Sequence, residues 1–165
     1  MRPTTPKPPA AAPRRPPTTQ QPVAARVRRI IGDEDISGYA ILAPGKLAGA
    51  LTTFGKPTST RPNPGGCEVS WQRLGLKIVF AGSGARACAA PGGRFSGAVV
   101  AGDGWRTERR LGIGSPVTRL RALYPTAEEY PGGWWALVIR RRKGYPYPGL
   151  GAKIVKGRVS AFYVQ

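Results

Sequence analysis

The chain contains no histidine. That absence removes Ser-His-Asp and Cys-His catalysis, histidine-ligated zinc and the usual proton shuttle near neutral pH. Acids are scarce as well, eight in 165 residues. Asp33, Glu34 and Asp35 form one run and Glu128 and Glu129 another, while Glu68, Asp103 and Glu108 stand alone. Nothing in this spacing advocates paired-carboxylate chemistry, so the chain reads as a protein that is not an enzyme and uses no cofactor or metal. The two cysteines, Cys67 and Cys88, are too few for a structural zinc site and too far apart for a redox pair. Long apolar runs are missing: no stretch approaches transmembrane length, and Met1-Arg2-Pro3-Thr4 opens without the apolar region of a signal peptide.

What is abundant is positive charge. There are 26 Lys and Arg, for a formal net charge of +18. Residues 1–29 carry seven of these cations, eight prolines, no acid and no aromatic. Such a stretch buries too little apolar surface to offset chain entropy, so it is expected to be a disordered spacer with polyproline-like extension. The remaining residues, 30–165, suffice for one domain with a single core. A balance this basic attracts polyanions, although an Arg-, Ala-, Gly- and Pro-rich composition is also what a GC-rich genome produces unselected.

An internal echo organises the folded part. Gly93-Arg94-Phe95-Ser96-Gly97-Ala98-Val99-Val100 resembles Gly157-Arg158-Val159-Ser160-Ala161-Phe162-Tyr163-Val164. Upstream of the first copy, Leu47, Ala50, Leu51 and Phe54 have helical spacing, closed by Gly55 and Pro57. Upstream of the second, Ser115-Pro116 predicts a hydroxyl N-cap with proline at the first helical position, and the helix stops before Pro125. After the first helix and a loop over 56–66, Cys67–Gln72, Leu76–Phe80 and Phe95–Ala101 read as strands. After the second, Trp134–Arg141, Gly151–Val155 and Arg158–Val164 do so, with a Lys156-Gly157 turn. The expected fold is α+β: two tandem helix-plus-three-strand units, about 36–104 and 105–165, forming an antiparallel sheet with the short helices on one face.

Cys67 opens one strand and Cys88 follows the next, so a hairpin would bring them together. A disulfide there would contribute about 3 kcal/mol through loop closure; the other reading is two unrelated buried thiols. A disulfide implies an extracytoplasmic or secreted protein whose signal sequence is not in this chain.

Gly66-Cys67-Glu68-Val69-Ser70-Trp71, Gly75-Leu76-Lys77-Ile78-Val79-Phe80, Trp105-Arg106-Thr107, Leu111-Gly112-Ile113-Gly114 and Leu120-Arg121-Ala122-Leu123-Tyr124-Pro125 resemble uncharacterised exported proteins of soil actinobacteria. The element order is similar to the β-lactamase inhibitor protein fold and to the small outer-membrane lipoprotein of the barrel-assembly machinery. This resemblance covers about residues 36–165. It implies a concave sheet that binds protein and no catalysis.

Two sets of residues are candidates for binding. Arg140, Arg141, Arg142 and Lys143 are followed by Tyr145 and Tyr147, cations that grip phosphate or carboxylate beside rings that stack or anchor interfaces. The structural reading of the same run is a solvated hairpin. Trp134 and Trp135 are adjacent in a strand, so one ring points to the core and the other outward, joined there by Trp71 or Trp105 as interface anchors; the structural reading places most of these rings in the core. Arg106, Arg109, Arg110, Arg119 and Arg121 around the second helix read as a solvated face. The functional expectation is a monomeric, non-catalytic exported domain that binds a protein or an anionic envelope polymer. The alternative is non-specific nucleic-acid binding through the basic tail and Arg140–Lys143.

Overall fold

The computed structural model describes residues 27–42 and 45–165. The expected disordered spacer lies outside the described residues except for 27–29. Val27 and Arg29 are engaged with the fold: Val27 packs against the core, and the Arg29 carbonyl accepts the Arg106 N–H at 3.1 Å.

Among the described residues three short α-helices and twelve strands alternate. Strands β1 (Ile30–Ile31), β2 (Asp35–Ile36) and β3 (Tyr39–Ala40) precede helix α1 (Leu47–Phe54). Next come β4 (Ser59–Asn63), β5 (Gly66–Trp71), β6 (Leu76–Ala81), helix α2 (Gly84–Ala87), β7 (Arg94–Val100) and β8 (Arg106–Thr107). Helix α3 (Val117–Leu123) leads into β9 (Glu128–Tyr130), β10 (Trp134–Arg142), β11 (Tyr145–Val155) and β12 (Arg158–Val164).

Eight strands form one sheet in the order β4-β5-β6-β7-β12-β11-β10-β9, every neighbour antiparallel. Each of α1 and α3 is thus followed by four strands of this sheet, not the three expected. The additional strands are β4 and β9, which lie at its two edges. A second ribbon, β3-β2-β1-β8, contains the one departure from antiparallel pairing among the described strands, where β1 runs parallel to β8.

The two echoing segments become β7 and β12, and they pair with each other at the centre of the large sheet. Val99 lies opposite Tyr163, its own counterpart in the echo, flanked by Val100 opposite Phe162 and Ala98 opposite Val164.

One face of the sheet carries the core. Along β5 and β6, Cys67, Val69, Trp71, Leu76, Ile78 and Phe80 are buried, while Glu68, Ser70 and Lys77 point the other way. The α1 stripe of Leu47, Ala50 and Phe54 is buried as its spacing requires, and the helix stops at Gly55 with φ 77°, a left-handed value that glycine takes without strain. Phe54 meets Trp71 at 5.3 Å between ring centres. Leu120 of α3 is buried in the same core. Its entry differs from expectation: Pro116 occupies the N-cap, and the Ser115 hydroxyl accepts the Gly112 N–H at 3.2 Å instead. Completely buried Phe80 and Phe162 each contribute roughly 1.5–3 kcal/mol through removal of apolar surface from water.

Cys67 and Cys88 form a disulfide, with Cα atoms 5.1 Å apart. It ties β5 to the segment that begins with α2 and leads into β7. Among the described residues no helix is long and apolar enough to cross a membrane.

Candidate functional site

The face of the large sheet turned away from the core is where exposed apolar side chains gather. Pairing across β6, β7, β12, β11 and β10 sets Lys77, Val99, Tyr163, Gly151 and Ala136 in one row. Trp134 stands in the next row, opposite Lys153. Val99 and Trp134 are 42 and 40 % exposed. Together with Val79, Pro148 and Tyr163 they line a groove of about 510 Å³.

The aromatic pair in this groove is held rigidly. Tyr163 lies directly across the ladder from Gly151, and a Cβ on Gly151 would come 1.8 Å from the tyrosine ring. Only glycine lets the ring settle over the neighbouring strand. There the Tyr163 hydroxyl donates to the Trp135 carbonyl at 3.0 Å, and the ring meets Trp134 edge-on at 5.0 Å. Burial, with a smaller contribution from Tyr130, pushes the Tyr163 hydroxyl above the usual tyrosine pKa, so it is a neutral donor throughout the physiological range. Lys153 places its ammonium 4.5 Å from the Trp134 ring centre and donates to the Gly132 carbonyl. At the other end of the row Lys77 pairs with Glu68 at 3.3 Å.

The adjacent tryptophans split as their alternation requires. Trp134 faces the groove and Trp135 is buried, with Arg121 over its ring at 5.2 Å. Trp71 and Trp105 do not join the outer face. Both are buried, donating from Nε1 to the carbonyls of Gly55 at 2.9 Å and Leu74 at 2.6 Å.

The basic run is also divided. Residues 141–146 are a tight hairpin, Arg141 opposite Pro146 and Arg142 opposite Tyr145. Its two-residue turn, Lys143-Gly144, has φ values of 50° and 84°, the left-handed pair that suits the twist of a hairpin. Arg140 is withdrawn from solvent chemistry. Its Nε donates to Asp33 at 2.8 Å and its Nη2 to Glu34 at 2.8 Å, and its side chain is 20 % exposed. Arg142, Lys143, Tyr145 and Tyr147 instead line a second groove of about 1110 Å³, whose opposite wall includes Lys46, Arg94 and Phe95. Around α3, Arg109 donates to the Leu123 carbonyl at 3.0 Å and Arg121 pairs with Glu129 at 3.6 Å, which accounts for these two as structural.

Sequence reasoning missed Tyr163 and Val99 in the first groove, Gly151 and Lys153 that hold its aromatic pair, and Lys46 and Arg94 in the second. The outward set could have been found by applying strict alternation to Phe162-Tyr163-Val164, where the middle residue must face away from the core. Lys46 and Arg94 come together only through a long-range bridge between them. No group of three or more His, Cys, Asp or Glu that could hold a metal ion occurs among the described residues. No protein-family model, curated protein or solved structure matches this chain.

Proposed function

We propose that the protein is an exported, non-catalytic binding domain that recognises a protein partner through the outer face of its large sheet. The observation that carries this reading is the Trp134–Tyr163 pair, set on regular strands and locked before any partner arrives. Rigid aromatic anchors lose little entropy on docking and dominate interface energies. The partner's surface is an apolar projection, because Val79, Val99, Trp134 and Pro148 line the groove and no Asp or Glu is among the described residues lining it. Export is supported by the Cys67–Cys88 disulfide, a bond that persists in oxidising compartments. The absence of histidine and the scattered acids support the non-catalytic reading. The resemblance to the β-lactamase inhibitor fold points the same way by architecture alone.

Photo-crosslinking from position 99, with exposed Arg119 on α3 as control position, tests it. One protein should be captured from position 99 and not from 119. Its affinity, measured with purified components, should fall roughly tenfold or more on Trp134→Ala. Indifference of that affinity to Trp134→Ala refutes the sheet-face reading.

A further inference from the structure

We propose that the second groove, beneath the Arg142–Tyr145 hairpin, is a binding site for single-stranded nucleic acid. The hairpin extends beyond the end of β12, whose pairing with β11 stops at Leu150, so residues 139–148 form a two-stranded arm. Within it, Arg142 lies directly opposite Tyr145 and Arg140 opposite Tyr147. Alternate residues of a strand share a face, so cations and tyrosines stand together on one side of the arm. Arg140 is neutralised by Asp33 and Glu34, and its role is to fix the arm. The charges left to a ligand are Arg142, Lys143, Lys46 and Arg94, and no Asp or Glu is among the described residues lining the groove.

The tyrosines decide the ligand class. Tyr145 is 79 % exposed, so the core has no use for its ring. A polyanion bound through charge alone, or an acidic peptide, would engage the cations and leave these rings idle. A single strand uses both: arginines take phosphate oxygens in a bidentate grip, and unstacked bases lie on aromatic faces. A duplex hides its base faces and cannot use them. This site is independent of the sheet-face reading; among the described residues the two grooves share only Ser96 and Gln165.

The test is fluorescence anisotropy on the full chain with an oligothymidylate of about 15 nucleotides, an abasic phosphodiester chain of equal length and poly-glutamate. The wild type should prefer the oligothymidylate over the abasic chain by roughly tenfold or more, and Tyr145→Ala should cut that preference at least about fivefold. Arg94→Gln combined with Arg142→Gln should weaken both phosphodiester chains and lower the salt slope by about 1.4, at about 0.7 for each single-strand phosphate that is no longer neutralised. Because Tyr145 is an exposed hairpin-tip residue, its removal leaves the fold intact, which near-ultraviolet circular dichroism verifies. Equal affinity for the oligothymidylate and the abasic chain, with Tyr145→Ala silent, would overturn the proposal in favour of charge alone. Tighter binding of poly-glutamate than of the oligothymidylate would overturn it in favour of an acidic peptide.

Discussion

Replacing Gly151 with alanine should damage the outer face through one identifiable clash. The backbone φ of Gly151 is not in the left-handed region, so alanine is tolerated by the main chain. The obstacle is the Tyr163 ring, 1.8 Å from where the new Cβ would sit. The ring must rotate away. It then gives up its hydrogen bond to the Trp135 carbonyl, about 1 kcal/mol, and its edge-on packing with Trp134, about 0.5–1.5 kcal/mol. Against this, alanine in a strand is favoured over glycine by about 0.5–1 kcal/mol. The net cost is therefore about 0.5–2 kcal/mol, read as a fall in melting temperature of roughly 1–8 °C for a chain of this size. The same substitution made in a Tyr163→Ala background meets no ring. It should be neutral or should stabilise by up to about 1 kcal/mol. Thermal and urea unfolding of the four proteins gives the coupling directly. An equal cost for Gly151→Ala in both backgrounds would show that the ring is not what occupies the space above Gly151, and the description of the groove would fail with it.

Arg140→Ala should destabilise by about 1.5–3 kcal/mol, since it strands Asp33 in a partly buried position, whereas Arg142→Ala, on an exposed side chain, should change stability by less than about 0.5 kcal/mol; urea midpoints distinguish the two. Removing the disulfide by Cys67→Ser with Cys88→Ser should cost about 3 kcal/mol, because a loop of this length regains its freedom in the unfolded chain. An unchanged urea midpoint would contradict that. Burial holds the Tyr39, Tyr124 and Tyr163 hydroxyls above the ordinary tyrosine pKa. A raised folded-state value means that their contribution to stability is complete below about pH 10 and is lost as pH rises above it. Ultraviolet titration should show a class of tyrosines ionising late, and stability should decline over that same alkaline range.

What could be read in advance followed side-chain pattern. The α1 stripe, the alternation of β5 and β6 and the opposed rings of Trp134 and Trp135 are each set by apolar spacing, and the structure has them there. The Lys156-Gly157 turn was legible from its glycine, and both residues take left-handed φ values, 49° and 73°. The strands that escaped notice have no such pattern. Ser59–Asn63 and Glu128–Tyr130 hold no aliphatic side chain; they are strands because β5 and β10 present free edges to them. Tyr145–Leu150 was hidden by Pro146 and Pro148, which ordinarily argue against a strand. These prolines are tolerated because this part of β11 has a neighbour on one side only. The basic groove was illegible for a different reason. It joins Lys46 to Arg94 and both to a hairpin some 50 residues further on, and no local signal encodes such closure.

The pairing of β7 with β12 has a consequence for how the chain assembles. Half of the large sheet, β4 to β7, is complete once residue 100 has been made, yet its inner edge stays bare until residues 158–164 arrive. During that interval the exposed hydrogen-bonding edge of β7 is open to any strand that matches it, and the best match in another molecule is the same β12. At high protein concentration an exchanged dimer would keep every ladder bond and the whole core while trading its C-terminal halves across the Val99–Tyr163 position. Because Val99 stands opposite its own counterpart in the echo, the join has nearly the same geometry from either side. The β7–β12 join that closes the sheet within one chain is thus also the place where two chains would exchange strands.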